Sequence, residues 1–194
     1  PPPPPPPPVG TILVPEDYPT IQDGVDAAGD GDLVLVGPGT YPGGITIAGK
    51  AITLASHYHH TGDPSFIDQT TISGGGSPGI SVGSTAAGTV IRGLRFTSVS
   101  KPIQLFSHSS VIENHFDNTG SDAISFENVG GEAIGNVCFS PSDECIDVDH
   151  PTSDVLLENN IMDASGDDGI EIRNGQNYTG PLVTLTIRNN TITG

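Results

Sequence analysis

Residues 111–150 read VIENHFDNTGSDAISFENVGGEAIGNVCFSPSDECIDVDH, and within them the chain repeats itself. Val111-Ile112-Glu113-Asn114 returns 22 residues later as Ala133-Ile134-Gly135-Asn136, and Ile124-Ser125-Phe126 returns after 22 as Ile146-Asp147-Val148. The period continues outward. Val90-Ile91-Arg92-Gly93 precedes the first series, and Leu156-Leu157-Glu158-Asn159 and Thr186-Ile187-Arg188-Asn189 follow it, their last residues 21, 22, 23 and 30 apart. Ile103-Gln104-Leu105 and Ile170-Glu171-Ile172 extend the second series in steps of 21, 22 and 24.

In the second series the outer residues of each triplet are apolar and the middle one is polar, so each is a short strand with one buried face. A period of about 22 residues built from short strands and turns is that of a parallel β-solenoid. The expected fold is all-β: a single-stranded, right-handed parallel β-helix of about eight coils. At roughly 4.8 Å per coil it forms a rod about 40 Å long. Asn114, Asn136, Asn159 and Asn189 fall at one turn position, where Asn tolerates left-handed backbone and stacked amides can bond from coil to coil.

Nearer the start, Thr20-Ile21-Gln22-Asp23 has the form of a helix N-cap, with Ile21, Val25 and Ala28 at helical spacing and Gly29 as a stop. A helix of three turns at most is expected over 20–28, covering the first coil. Leu33-Val34-Leu35-Val36, Ile45-Thr46-Ile47 and Ala51-Ile52-Thr53-Leu54 then read as strands. Pro1 to Pro8 form a polyproline II segment, so residues 1–9 are read as an arm or linker and 10–194 as the solenoid.

Composition agrees with this. The 194 residues include 26 Gly and 18 Pro, which exclude a helical bundle, while 34% apolar residues suffice for a core. Six Lys+Arg against 23 Asp+Glu give a formal charge of −17, which repels phosphate backbones and excludes nucleic acid as a partner. No apolar run reaches the ~18 residues of a membrane span. Between Pro102 and Ile172 there is no Lys or Arg, yet 15 acids fall between Glu113 and Glu171.

The stretches Pro15-Glu16-Asp17-Tyr18-Pro19-Thr20-Ile21-Gln22, Gly31-Asp32-Leu33-Val34-Leu35-Val36-Gly37-Pro38-Gly39-Thr40-Tyr41 and Lys50-Ala51-Ile52-Thr53-Leu54 resemble the opening of right-handed β-helix proteins of the pectin-lyase-like superfamily. Thr61-Gly62-Asp63 followed by Thr71-Ile72-Ser73-Gly74 is also similar to secreted bacterial β-helix proteins. The resemblance implies a right-handed β-helix and a secreted, extracellular or cell-surface location. It implies little about activity, because the superfamily holds lyases, hydrolases, esterases, epimerases, adhesins and scaffolds.

Aligned on the second strand, the acids fall into columns: Asp122, Glu144 and Asp168; Asp143 and Asp167 beside them; Asp147 under Glu171; and Glu127, Asp149 and Arg173, in which Arg173 can neutralise Asp149. Carboxylates about 5 Å apart need a cation, a proton or full solvation. Calcium, with six to eight oxygen ligands, suits such a cluster, and Asp143, Glu144, Asp147, Asp167, Asp168 and Glu171 are the expected ligands. The alternative is a solvated acidic face.

An enzyme reading uses the same residues. Ser142-Asp143-Glu144-Cys145 and Gly166-Asp167-Asp168-Gly169 resemble the Gly-Asp-Asp segment of polygalacturonase-type glycoside hydrolases, where paired carboxylates act as acid and base. That resemblance would make Asp143, Glu144, Asp167, Asp168 and Arg173 catalytic. The hydrolases' Gly-His-Gly and Arg-Ile-Lys segments are missing here, and so is the Trp of pectin methylesterases. Calcium-dependent pectate lyases use an Arg or Lys base, for which Arg173 is the candidate.

Cys138 and Cys145, seven apart, can close a disulfide across one turn or lie as two small buried residues, Cys138 matching Phe116 and Ile161 in its column. His57-Tyr58-His59-His60 reads as a polar loop, since the face shared by His57 and His59 has no third ligand. Asn177-Tyr178-Thr179 and Asn189-Asn190-Thr191 match the glycosylation acceptor pattern. The last coil ends at Thr191-Ile192-Thr193-Gly194 with no capping element, so either the protein continues or another molecule stacks there, and the Pro1–Pro8 arm favours head-to-tail self-association. The expectation from all this is an extracellular, non-enzymatic β-helix module with a structural or adhesive role, a calcium-binding acidic face and the capacity to form filaments. The alternative is a carbohydrate-active enzyme or polysaccharide-binding module.

Overall fold

The computed structural model describes residues 10–74, 77–163, 166–174, 180 and 182–193; the oligoproline arm and Asn177-Tyr178-Thr179 lie outside them. Three parallel sheets run the length of a solenoid. The first has eight strands, from Thr11–Val14 and Leu33–Val36 through Ser109–Ile112, Gly131–Ile134 and Val155–Glu158 to Leu185–Arg188. The second has six, from Ile45–Ile47 and Ile80–Val82 through Ile103–Leu105, Ile124–Glu127 and Ile146–Asp149 to Ile170–Arg173. The third has seven, among them Arg95–Thr97, His115–Asp117, Val137–Phe139 and Ile161–Asp163. Each strand pairs only with the equivalent strands of the coils before and after it, as the 22-residue period requires.

The core is a set of stacked columns. Phe96, Phe116, Cys138 and Met162 follow one another in the third sheet, all buried, and the rings of Phe96 and Phe116 stack with centroids 5.1 Å apart. Offset stacking at this distance adds to the stabilisation from area burial. Cys138 therefore sits over Phe116 as expected, but its upper neighbour is Met162; Ile161 pairs with Val137 and points outward.

That difference comes from a register correction. Asn114, Asn136, Asn160 and Asn190 form the amide ladder, and Asn159 and Asn189 do not belong to it. The oxygens of Asn136, Asn160 and Asn190 each accept the backbone N–H of the Asn one coil below, at 2.9–3.0 Å, that of Asn114 accepts the Leu94 N–H, and each Nδ2 donates to a carbonyl of the first sheet, such as Val111 or Ala133. Asn159 and Asn189 occupy the preceding position, with φ of 57° each, in line with Gly93, Glu113 and Gly135 at 67°, 54° and 66°. The sequence expectation gave one position both duties, left-handed backbone and amide stacking. The fold divides them between neighbours.

The helix α1, Ile21–Ala27, is capped as expected: Thr20 Oγ1 accepts from the Asp23 amide and donates to Asp23 Oδ2 at 2.6 Å. It ends on Ala28, and Gly29 instead donates its N–H to Asp32 Oδ2. Gly24 lies against the first sheet so closely that a Cβ there would stand 2.8 Å from Val14 Cγ2. His57-Tyr58-His59-His60 is not a loop or strand: His57 caps a short helix, α2 (Tyr58–Thr61), followed by α3 (Ser65–Gln69).

Candidate functional site

The outward face of the second sheet carries the acidic columns, and the register places them as the triplets predict. Asp147 stands between Ser125 and Glu171, and Asp149 stands between Glu127 and Arg173. Two residues before the strands, Asp122 and Glu144 follow one another from coil to coil, the amide of Ala123 bonding to the carbonyl of Glu144. Alternation turns all of these side chains away from the apolar core. Even so, Asp122 and Glu144 are only 5% exposed and Asp147 only 2%.

What buries them is their own network. Lys101, one coil below Asp122, places Nζ 3.0 Å from Asp122 Oδ2 and 3.6 Å from Glu127 Oε1. Glu127 also accepts from Gln104 Nε2 and Ser125 Oγ. At the other end Arg173 reaches Asp147 Oδ2 at 2.5 Å, Glu171 Oε2 at 2.7 Å and Asp149 Oδ1 at 3.6 Å. The sequence expectation left Arg173 as the sole base near the columns and gave it to Asp149. Lys101 is a second base, and Asp147 is the closer partner of Arg173.

The proton affinities diverge across this network. Burial, the hydrogen bond to Asp122 and the charge of Asp143 push the Glu144 carboxyl up to about 8. Burial works against the charge of Asp122 too, but hydrogen bonds from Lys101 and Glu144 outweigh it and hold its pKa below the usual value. Asp147 is raised to about 6, chiefly by burial, with Arg173 opposing and Asp122, Asp149 and Glu171 adding. At neutral pH Glu144 is thus a proton donor to an ionised Asp122.

This has a consequence for stability. Folded Glu144 keeps its proton up to about pH 8, whereas the unfolded carboxyl loses it near 4.5, so the unfolded state binds fewer protons in between. Stability therefore falls as pH rises through that window, and Asp147 contributes likewise between 3.8 and about 6. Asp122 acts in the opposite sense, its contribution present above 3.8 and lost in acid. In metal-free buffer the unfolding midpoint is expected to drop from pH 5 to pH 9 by on the order of 5 °C. Glu144→Gln should flatten most of that slope in a calorimetric pH series.

Of the other expected site residues, Asp143 is half-buried and lies beside Asp122 and Glu144, with ligand atoms of all three within 4.8 Å of one another. Asp167 and Asp168 are exposed and do not join that group. Cys138 and Cys145 are joined as a disulfide, their Cα atoms 6.0 Å apart, which ties the third sheet to the start of Ile146–Asp149. His57 and His60 rings lie 5.3 Å apart on α2.

Two grooves were not foreseen. One of about 320 Å³ runs over the first sheet between His108, Glu132, Asp154, Leu156 and Arg188. Another of about 220 Å³ lies beside α1, along Thr20, Gln22 and Gly44. Neither is lined by the carboxylates of the second sheet.

Against known proteins, a family model described as right handed beta helix region matches residues 46–194. No characterised protein and no solved structure matches the chain significantly.

Proposed function

Because the chain belongs to the right-handed β-helix family, whose fold hosts both enzymes and scaffolds, we propose from its side chains that it is a non-catalytic structural or adhesive module of an extracellular protein. One observation carries this reading. The acids that a hydrolase or lyase would direct at a substrate are turned to one another and to Lys101 and Arg173, bridging successive coils, with Asp122, Glu144 and Asp147 nearly sealed from solvent. A general acid and its partner base must both reach the scissile bond. Here the pair with divergent proton affinities, Glu144 and Asp122, hydrogen-bond to each other, and Asp167 and Asp168, one coil above Asp143 and Glu144, are exposed to solvent.

The Cys138–Cys145 bridge supports an oxidising, extracellular location. Among the described residues no helix is long and apolar enough to cross a membrane. Self-association belongs to the same reading. Leu185, Ile187 and Ile192 stand over Val155, Leu157 and Met162 and are 36%, 48% and 53% exposed; a further parallel coil, from this chain or from a second copy, would bury them.

The carbohydrate-active reading is favoured by one feature only, the raised Glu144 beside an ionised Asp122. Native gel electrophoresis through a panel of embedded polysaccharides separates the two. Migration that is unaffected, or retarded without release of reducing ends, is expected. Reducing ends or unsaturated uronates released in the gel would overturn the proposal.

A further inference from the structure

We propose that the folded chain joins Lys101 to Asp122 by an amide bond between successive coils, with Glu144 carrying the protons. Lys101 Nζ lies 3.0 Å from Asp122 Oδ2, so the nitrogen is within reach of the carboxyl carbon. Each residue stands two positions ahead of a second-sheet strand, and the pairing of Ile103 with Ile124 fixes the two strands in register. Holding two reactants in place turns a bimolecular condensation into an effectively unimolecular one.

The pair differs from the other ion pairs of the solenoid in two respects. Arg92, Arg95, Arg173 and Arg188 bind their acids through guanidinium groups, which stay protonated and do not act as amines. Lys50, the other lysine, donates to the carbonyls of Asp26 and Ala28. Lys101 instead faces a carboxylate whose side chain is 7% exposed, and a third group, Glu144, hydrogen-bonds to that carboxylate and is itself 5% exposed. Glu127 Oε1, at 3.6 Å from Nζ, is farther away and is turned to Gln104 Nε2 and Ser125 Oγ.

Burial disfavours the charge on both Lys101 and Asp122, although their hydrogen bond and mutual attraction keep the ion pair as the resting state. Moving one proton from Nζ to the carboxylate removes both charges at once. The freed lone pair on Nζ attacks Cγ of Asp122 and forms the C–N bond. Glu144, which is protonated at neutral pH, gives its proton to the departing hydroxyl and takes one from the nitrogen. One water leaves, and Glu144 ends protonated as it began. Ammonium and carboxylate have become amide and water, and no other reactant enters. Because the amine is held mostly charged, the step is slow, so fresh chain shows the ion pair and the bond accumulates with time. Once formed, it closes a covalent loop of one coil, which then cannot be peeled from the solenoid at that point. The bond stands whether or not the module acts on a polysaccharide.

The test is intact-mass spectrometry of the full, folded chain during days of incubation at neutral pH. Progressive conversion to a species lighter by one water is expected. Chymotryptic digestion, which separates the two residues by cutting at Leu105, Phe106 and Phe116, should then yield a branched peptide joining Lys101 to Asp122. Lys101→Arg keeps the charge pair and should retain the full mass. Glu144→Gln keeps a donor to Asp122 but cannot shuttle the proton, and should convert roughly a hundredfold more slowly. Full mass throughout in wild type would overturn the proposal. So would water lost equally from Lys101→Arg or without the branched peptide, which would mean a succinimide at another Asp. A branch ending on Glu127, or conversion of Glu144→Gln at the wild-type rate, would equally contradict it.

Discussion

Asn136→Ala is expected to lower the stability of the module by about 3–5 kcal/mol, the largest effect of any single truncation on the outer turns. Asn136 makes four hydrogen bonds through its amide. Oδ1 accepts from the Asn114 backbone N–H and side-chain Nδ2, and Nδ2 donates to the Val111 carbonyl and to Asn160 Oδ1. Truncation strands these partners in a part of the fold where Asn114, Asn136 and Asn160 are at most 2% exposed. Each buried group left unsatisfied costs about 1–3 kcal/mol, though not additively. Asn160→Ala should behave in the same way. Asn159→Ala should cost about 1 kcal/mol, because only its left-handed backbone is at stake, and Asn159→Gly should be neutral or better. Urea denaturation of the four variants is the measurement; equal losses at Asn159 and Asn160 would contradict the ladder.

The second large effect is expected at Lys101. Lys101→Met keeps the aliphatic stem and removes the charge that neutralises Asp122, a residue 5% exposed. Breaking a buried pair from one side costs about 3–5 kcal/mol, and partial exposure of the Lys101 side chain brings the expectation to about 2–4 kcal/mol at pH 8. The sign with pH follows from Asp122. Lys101 is among the groups that hold its pKa down, so the pair's contribution is present at neutral and alkaline pH and is lost in acid. The difference in unfolding midpoint between wild type and Lys101→Met should therefore shrink as pH is lowered through 3.8. A difference that is constant with pH would mean that Lys101 acts through packing alone.

How far these residues can be read from sequence depends on whether alternation is ambiguous. The second-sheet strands are triplets of Ile, one polar residue, and Ile, Val, Leu or Phe. Only one register buries their apolar residues, and Asp147 under Glu171 follows at once. In the first sheet Leu156-Leu157 and Asn159-Asn160 are doublets, so the pattern fits equally well one residue off. A slip of one exchanges the inner and outer faces, which is why Asn159 was placed where Asn160 stands and Ile161 where Met162 stands. The tie is broken by Leu157, which is buried beside Ala133 while Leu156 faces outward.

The site was legible in its acids and in Arg173, but not in Lys101. Lys101 precedes Pro102, just outside the base-free stretch, although it stands two residues before Ile103 as Asp122 stands two before Ile124. The corners were equally hidden. Ser98, Asn118 and Ser140 turn one corner, and Asn128 and His150 another, all with φ between 47° and 59°. Sequence signals for left-handed backbone favour Gly and Asn, so Ser and His in these roles escape them. The burial of Asp122, Glu144 and Asp147 could not be read at all, since it arises from side chains of four coils closing over one another.

The claim that these acids hold coils together, rather than act on a substrate, is tested most directly by a time course of uronate and reducing-end release. Wild type and Glu144→Gln are compared on charged and neutral polysaccharides, with calcium and with a chelator. Traces for both proteins at the level of the protein-free blank are predicted. Release by wild type that Glu144→Gln loses, with its circular dichroism unchanged, would contradict the account and make Glu144 a catalytic acid.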